Sequence, residues 1–306
     1  MTEPALADLH ALIDALWPER LAESWDSVGL TTGDPSRHVR RVLLAVDPVD
    51  AVVEEAVERG ADLLLTHHPL LLRGVTSVAA DTLKGGQLVR LIGAGVAHIA
   101  AHTNADVAPG GVSDVLIETL GAGEARPLAP TSAADPAVGI GRWADLPEPA
   151  TVRDLARRLA AALPATVTGV RIAGDPDAEV TRAAVCGGAG DSLFDEVRAC
   201  GAEVYVTSDL RHHPATEARD TARRTGPGLP AAPVPHLIDI SHWASESLWL
   251  DRAAAQLSAA ARERGWELEI EVSRLRTDAW AERIGQDMAG SQSAHTAAAH
   301  ASRKEH

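Results

Sequence analysis

Cysteine is scarce in this chain, which limits both disulfide bonding and metal chemistry. Cys186 and Cys200 are the two cysteines among 306 residues, and they form neither a CxxC pair nor a larger framework. We therefore expect both to be small buried residues rather than ligands or redox centres. Any metal ion bound by this chain must be held by nitrogen and oxygen ligands.

Cationic residues and long apolar runs are also in short supply. Lys and Arg total 28 against 43 Asp and Glu, a formal net charge of -15, which opposes the attraction to phosphate backbones that nucleic-acid binders use. No apolar run approaches the roughly 20 residues needed to span a bilayer, and the N-terminus has no basic region followed by an apolar one. We expect a cytoplasmic protein with neither a nucleic-acid partner nor a membrane anchor.

The chain contains an internal duplication. Residues 41–68 align without a gap with residues 182–209, and Gly60 then matches Gly201. Each copy reads as strand, helix, strand. Apolar strands that alternate with helices are typical of a mostly parallel sheet covered on both faces, so the predicted class is α/β with two duplicated lobes.

Composition and turn signals set the predicted boundaries of the lobes. The first α/β lobe covers residues 1–121, and Asp47-Pro48 is predicted to begin its first repeat helix as N-cap and first helical residue. Residues 122–137 are rich in Ala, Pro and Gly and are predicted to be a junction. The second α/β lobe covers residues 138–285 and is completed by a long helix near 244–264 and a strand over 266–272. The Ala, Ser and His tail of residues 286–306 is predicted to be disordered.

Histidines and carboxylates follow the apolar strands at matched places of the two copies. His67 and His68 come directly after a buried strand, at the edge where α/β sheets bind ligands. His102 is followed four residues later by Asp106, and His242 likewise by Glu246. A His-His pair or an HxxxD spacing alone is commonly accidental, and His212-His213 illustrates this. The conjunction of both motifs in a duplicated unit predicts a metal site between the lobes.

The ligand set is large enough for two divalent ions. Adjacent side chains on extended backbone point in opposite directions, so His67 and His68 are expected to bind different ions. Asp106 is then the best candidate for a bridging carboxylate. Imidazole and carboxylate ligands suit Zn, Mn, Fe, Co or Ni and do not distinguish among them.

Five sequence blocks, in order, resemble the signature blocks of the GTP cyclohydrolase 1 type 2 homologues, also called interacting-factor-three-like dinuclear metal proteins. The blocks are WDSVGL at 25–30, LLLTHHP at 63–69, AHTNAD at 101–106, YVTSD at 205–209 and SHWASE at 241–246. The resemblance covers about residues 5–280. It implies duplicated three-layer α/β/α lobes, two metal ions per chain, and a toroidal homohexamer with sites facing an internal cavity. The ligands that it implies are His67, His68, Asp106, His242 and Glu246, with His102 close by.

Some positions depart from the family pattern without removing a proposed ligand. Ala105 stands where Leu is usual, Ser27 where Asn is usual, and Ser208 and Ser241 where Gly is usual. The two serines lie beside the site and could narrow it or change the backbone there, which puts the substrate more in doubt than the metal. Asp209 aligns with His68 across the duplication and is interpreted as a partner of a ligand, as a general base, or as a helix cap.

Two functions fit these residues. The first is a metal-dependent hydrolase, in which two ions lower the pKa of a shared water to about 7 and His102 or Asp209 transfers protons. The family name implies opening of a purine nucleotide ring, and another small substrate fits equally well. The alternative is a non-catalytic hexameric scaffold, metallochaperone or regulatory protein. An open coordination position favours the hydrolase.

Two arginines are candidates for binding the phosphates of such a nucleotide. A chain with a net charge of -15 repels anions, so a triphosphate substrate would need local cations. Arg73 follows the His67-His68 loop, and Arg211 follows the aligned turn at 207–209. Both copies thus place an arginine beyond the same strand end, although both side chains could equally be solvated surface groups.

Overall fold

The computed structural model describes residues 2–131, 135–223 and 235–285. The strands are β1 (Gly29–Thr32), β2 (Arg41–Ala45), β3 (Leu63–Thr66), β4 (Ala97–Ala100), β5 (Arg126–Pro130), β6 (Gly139–Thr151), β7 (Arg171–Ala173), β8 (Glu179–Ala189), β9 (Val204–Ser208), β10 (His236–Ile240) and β11 (Glu269–Val272). The helices are α1 (Leu6–Leu16), α2 (Asp50–Glu58), α3 (Leu83–Ala94), α4 (Thr103–Val107), α5 (Val112–Thr119), α6 (Val152–Ala162), α7 (Phe194–Cys200), α8 (His212–Arg223) and α9 (His242–Glu263).

The strands form two sheets, and the three central strands have the same arrangement in both. The first has the order β1-β4-β3-β2-β11, and the second has the order β5-β6-β8-β9-β10-β7. Each contains a parallel trio, β2-β3-β4 in one and β8-β9-β10 in the other, and an antiparallel strand beside the last member. The carboxyl ends of each trio lie at one edge of its sheet.

Helices cover both faces of the first sheet because its central strands are apolar on both sides. Leu63 and Leu65 pack in one cluster with α1 and α9, while Leu64 packs on the opposite face with α2 and α3. All three side chains are buried, and each contributes about 2 kcal/mol relative to exposure. The second sheet is likewise packed on both faces. The predicted α/β class with helices on both sides of mixed sheets is confirmed.

Left-handed glycines end the repeat helices. Gly60 follows α2 with φ 61°, and Gly201 follows α7 with φ 73°. Glycine is favoured at such positions because it has no Cβ to clash with the backbone. The two copies therefore end their repeat helices at the same aligned glycine.

Both sheets are mixed, as predicted, but the second has more antiparallel pairs than parallel ones. Strands β5, β6 and β8 pair antiparallel in succession, and β7 pairs antiparallel with β10. Strand β5 lies inside the segment predicted as the junction between the lobes. Its two prolines, Pro127 and Pro130, lie on an edge strand, where a missing backbone N–H is tolerated.

The last described strand belongs to the first sheet, so the prediction that it completes the second lobe is wrong. β11 pairs parallel with β2, with Ile270 opposite Val42. The reason is the course of α9, which packs on α1, where the rings of Trp17 and Trp249 lie 5.1 Å apart. The predicted lobe boundaries stay a prediction, and the tail at 286–306 lies outside the described residues.

The start of the first repeat helix also differs from the prediction. α2 begins at Asp50 with Val49 as its N-cap, so Asp47 and Pro48 precede the helix. Asp47 instead directs its carboxylate to a histidine of the candidate site. In the described part of the chain, no helix combines the length and apolar character needed to cross a membrane.

Candidate metal centre

The carboxyl ends of the two parallel trios face each other and bring six predicted residues together. In the first lobe, β3 leads into His67 and His68, and β4 leads into His102 and then Asp106 on α4. In the second lobe, β10 leads into α9, which starts at His242 and carries Glu246 one turn later. Ser241 caps α9 by accepting a hydrogen bond from Ala244 N at 3.3 Å. The cap fixes where the helix begins and therefore where both ligands point.

Glu246 lies at the centre of this cluster and is 3% exposed. Its Oε1 is 2.8 Å from His242 Nε2 and 3.6 Å from His67 Nε2, and its Oε2 is 3.1 Å from His68 Nε2. Three imidazoles from the two lobes therefore converge on one buried carboxylate.

The rings of His67 and His68 do not point apart, as the sequence led us to expect. Their centroids are 5.2 Å apart and both Nε2 atoms face Glu246. The reason is that β3 ends at Thr66, so both histidines lie on a bend rather than on extended backbone. The alternation of side chains applies only within a strand.

Each histidine of the cluster is held through its Nδ1 atom. The acceptors are Ala101 O at 2.9 Å from His67, Asp47 Oδ1 at 2.6 Å from His68, Asp26 Oδ1 at 2.9 Å from His102, and Asp209 Oδ2 at 2.7 Å from His242. Because these oxygens accept, each Nδ1 carries a hydrogen. In the neutral ring the lone pair is therefore on Nε2. Carboxylates and carbonyls that orient histidines in this way are typical of metal sites.

The interior of the cluster lacks hydrogen bonds that buried groups require. His67 Nε2 and Glu246 Oε2 are both buried without a hydrogen-bond partner. His68 Nε2 and His242 Nε2 lie 3.3 Å apart. Unsatisfied buried polar atoms are costly, and a cation would satisfy lone pairs that face one another. The donor set therefore fits a divalent metal ion.

The pKa values of the metal-free chain also indicate that a cation is favoured beside Glu246. Burial alone lowers the pKa of His68 and of His242, but the Glu246 carboxylate outweighs burial and raises these pKa values to about 10 and about 11. Burial raises the pKa of Glu246, yet His68 and His242 hold it well below its usual range. A positive charge is thus favoured beside Glu246, and protons supply it when no metal ion does.

Two groups of described residues have ligand atoms close enough to hold a metal ion. The first is His67, His68 and His102, and the second is His68, His242 and Glu246; within each group the ligand atoms lie within 4.8 Å of one another. His68 belongs to both groups. Asp106 is adjacent, with Oδ1 3.8 Å from His67 Nε2, and burial raises the pKa of its carboxyl group. Its predicted role as a bridge stays a prediction.

Sequence reasoning missed two carboxylates that orient ligands. Asp26 accepts from His102 Nδ1 at 2.9 Å and from Thr103 Oγ1 at 2.5 Å; burial raises the pKa of Asp26, but these two bonds outweigh burial and lower it. Asp47 was interpreted as a helix cap, but it holds His68. Asp26 lies in the WDSVGL block, which was the available signal.

Asp209 contacts His242 from a backbone conformation that is uncommon for a non-glycine residue. Its φ is 57°, and among the described residues it is the non-glycine residue with positive φ. Its bond to His242 lowers the pKa of its carboxyl group. Of the interpretations open from sequence, the geometry matches a partner that orients a ligand.

Gly188 is a further residue that sequence reasoning missed. It has φ 68°, and a Cβ atom there would lie 2.7 Å from Glu246 Oε1 and 3.2 Å from His242 Nε2. The backbone of β8 therefore approaches the cluster closely only because this residue is glycine.

A cleft of about 530 Å³ opens onto the cluster and includes His68 and His242 in its lining. The lining among the described residues does not include Arg73 or Arg211. Both arginines are exposed, and Arg211 is paired with Asp191 Oδ2 at 2.6 Å. The binding of phosphate by these arginines stays a prediction that this geometry does not favour.

Comparisons with known proteins agree on one family. The model of the Duf34/NIF3 (NGG1p interacting factor 3) family matches residues 4–279. A Streptomyces coelicolor protein named GTP cyclohydrolase 1 type 2 homolog is 50% identical over 279 residues, covering 90% of this chain and 94% of that protein. A Mycobacterium bovis protein of the same name is 36% identical over 381 aligned positions, covering 90% of this chain and 96% of that protein.

Solved structures show the same fold. A Bacillus cereus protein related to NIF3 superposes with a TM-score of 0.83 at 23% identity, covering 92% of this chain and 100% of that one. A Staphylococcus aureus hypothetical protein gives a TM-score of 0.80 at 28% identity, covering 91% and 99%.

Proposed function

Because the chain belongs to the Duf34/NIF3 family, we propose that it is a metal-dependent hydrolase with a dinuclear centre between its lobes. The observation that carries the proposal is the arrangement of the imidazoles. Each Nδ1 is tied to an oxygen, and the Nε2 atoms of His67, His68 and His242 converge on buried Glu246. Catalytic metal sites are built on such oriented nitrogen and oxygen ligands.

The residues that would hold two divalent ions are His67, His68, Asp106, His242 and Glu246. His68 stands in both groups of ligand atoms and Glu246 has two oxygens, so neither ion would be isolated from the other. Bound divalent ions supply a Lewis acid and lower the pKa of a coordinated water. Zinc, manganese, iron, cobalt and nickel all suit these ligands.

Two further residues would handle protons beside the reacting atoms. His102 is held by Asp26 through Nδ1, which leaves Nε2 free to accept or donate a proton. Asp209 has a side chain that is 60% exposed at the cleft, and it keeps His242 oriented through Nδ1. The substrate would enter through this cleft, where water is displaced as it binds.

The relatives' printed name suggests the reaction class. It points to hydrolysis at the imidazole carbon of a purine nucleotide, with ring opening and release of formate. Another small substrate with a hydrolysable C–N bond fits the same residues.

A homohexamer is the proposed assembly, and light scattering would measure it.

The test is a comparison of Glu246→Gln with a matched control on metal-loaded protein. Glu118→Gln also removes one carboxylate, but Glu118 lies on α5 and pairs with Arg252 away from the cluster. We expect wild type and Glu118→Gln to release formate from GTP and to retain metal in elemental analysis. Glu246→Gln is expected to lose both. Wild type that is fully metal-loaded yet turns over neither GTP nor related nucleotides contradicts purine ring opening and leaves another substrate or a scaffold role.

A further inference from the structure

The chain after β11 continues along the cleft beside the candidate metal centre as a short segment of residues 273–280, which we call the strap. It leaves the first sheet at Val272 and runs over the end of β2 toward the start of α9. Arg274 anchors it by donating to both oxygens of Asp251 on α9, at 3.1 and 2.6 Å. The strap has no regular secondary structure, and besides these side-chain bonds it is held by the backbone bond from Ser273 N to Leu44 O at 2.8 Å.

Two hydroxyl–carboxylate bonds tie the strap to residues that orient metal ligands. Thr277 Oγ1 donates to Asp47 Oδ2, and the other oxygen of Asp47 accepts from His68 Nδ1. Ser241 Oγ donates to Asp278 Oδ2 at 2.5 Å, and Ser241 directly precedes His242. The strap is therefore connected on one side to His68 and on the other to the start of α9.

This network fixes the position of Trp280. Asp278 Oδ1 accepts from the backbone N–H of Trp280 at 3.0 Å, while its other oxygen accepts from Ser241. Trp280 lines the cleft that also includes His68 and His242, and its side chain is 64% exposed. A large indole held at the rim of a cleft, rather than packed in a core, leaves a flat apolar face available to a ligand.

Of the seven tryptophans, Trp25 and Trp280 are the ones with mostly exposed side chains. The other tryptophans are less exposed: Trp17 and Trp249 are buried, and Trp143, Trp243 and Trp266 are half-buried. The ring of Trp25 lies 5.8 Å from that of His102, so it too borders the cluster. Exposed indoles thus occur beside the candidate metal centre, where a ring can stack on them.

The charged side chains that line the cleft limit which substituents a bound ligand ring can have. Among the described residues, Asp47, Asp209, Asp239 and Asp278 line it, together with the guanidinium of Arg171 and the imidazoles of His68 and His242. Arg171 donates from two nitrogens to Asp239 and is therefore already paired. Carboxylate oxygens accept hydrogen bonds and repel phosphate groups, so the part of the lining away from the two histidines suits N–H donors rather than a polyphosphate chain.

We propose that Trp280, held by the strap, is a substrate-recognition residue on which a planar nitrogen heterocycle with N–H donors stacks beside His68 and His242. The proposal rests on the proposed function and names the substrate class of the same site. It places the ring, and not a phosphate chain, in the cleft.

The experiment is calorimetric titration of the metal-loaded full chain with guanosine, inosine and GTP. We expect guanosine to bind at least as tightly as GTP, and inosine, which lacks the exocyclic amino group, to bind more weakly. Trp280→Ala is expected to weaken guanosine binding about tenfold or more, because stacking on an aromatic side chain contributes that much per base. Ile284→Ala serves as control, since Ile284 is 85% exposed and does not line the cleft.

A strap variant separates a positioning effect from a general loss of fold. Thr277→Val removes the hydroxyl at constant shape and is expected to weaken guanosine binding, while Thr277→Ser restores it. Metal content and melting temperature are measured for each variant.

Unchanged guanosine affinity in Trp280→Ala would overturn the proposal, as would a metal-loaded wild type that binds none of the three probes. Equal binding of guanosine and inosine would overturn the part that concerns N–H donors. Binding through Trp280 without formate release from GTP would refute purine ring opening alone and support the recognition role.

Discussion

His68 and His242 are 174 residues apart in the chain, yet their Nε2 atoms lie 3.3 Å from each other. Neither nitrogen can donate to the other when both carry a lone pair, and two imidazolium groups at this distance repel. The pair is held by carboxylates behind each ring, Asp47 for His68 and Asp209 for His242. A metal ion that drew both nitrogens to itself would remove this conflict.

The stoichiometry of the centre is the first prediction. Reconstituted wild type is expected to hold two divalent ions per chain in elemental analysis after removal of free metal. His67→Ala and His68→Ala should differ in effect, because His68 belongs to both groups of ligand atoms and His67 to one. One ion or fewer in wild type, together with identical losses in the two variants, would refute a dinuclear centre.

Gly188→Ala is predicted to block metal binding. Its new Cβ would lie 2.7 Å from Glu246 Oε1, and residue 188 has φ 68°. The matched control is Gly169→Ala, where φ is 61° and the Cβ meets open space. Both variants should lose roughly 1 kcal/mol of stability from the left-handed backbone. Only Gly188→Ala should also lose zinc in a chelator-competition assay, and equal metal affinity in both would contradict the close approach.

The pH dependence of the metal-free chain follows from its histidines. Burial lowers the pKa values of His68 and His242, but the Glu246 carboxylate raises them by more. The resulting pKa values are about 10 and about 11, against an unfolded value of 6.5. Groups whose pKa rises on folding stabilise the fold fully below the unfolded pKa and lose that effect as pH rises through the folded pKa. Metal-free protein should therefore lose stability between about pH 6.5 and 11, as measured by denaturant titration.

Metal binding should reverse that dependence. A cation replaces the protons on Nε2, so zinc binding is expected to release protons and to tighten as pH rises. Calorimetry at neutral pH in buffers of different ionisation enthalpy measures the number released. Binding without proton release would show that the rings are already neutral.

Asp209→Ala should weaken metal binding without removing a ligand. The variant leaves His242 Nδ1 without its acceptor, and loss of such a partner lowers metal affinity about 10- to 100-fold. Asp209→Asn should lose less, because Asn tolerates the φ of 57° and its amide oxygen can still accept. Asp191→Ala is the control, since Asp191 pairs with Arg211 and does not touch the histidines. Equal affinities in Asp209→Ala and the control would contradict the orienting role.

The sequence predicted where the strands end better than it predicted the directions of the side chains that follow them. His67, His102 and His242 were found because each follows an apolar run, and the burial of such runs specifies strands locally. The predicted direction of the His68 side chain was wrong because the chain bends after Thr66 and Asp47 then holds the ring. The bond from Asp47 is a tertiary contact. Asp47 beside Pro48 has the local pattern of a helix cap, and nothing nearby in the chain indicates otherwise.

The strap and the sheet to which β11 belongs were beyond prediction for the same physical reason. The alternating segment at 266–272 fits either sheet, and its pairing with β2 follows from where α9 packs. Trp280 reads as a lone apolar residue near the end of the chain. Its place beside His242 depends on Asp278 and Ser241, which meet only after folding.

The pairing of β11 with β2 also has a consequence for synthesis. Residues 41–45 emerge from the ribosome early, but their hydrogen-bonding partner at 269–272 emerges near the end of the chain. Until then β2 is an open edge that another chain can add to. The amino-terminal lobe therefore remains incomplete until residues 269–272 have been made, and its metal ligands meet Glu246 only after α9 has been made.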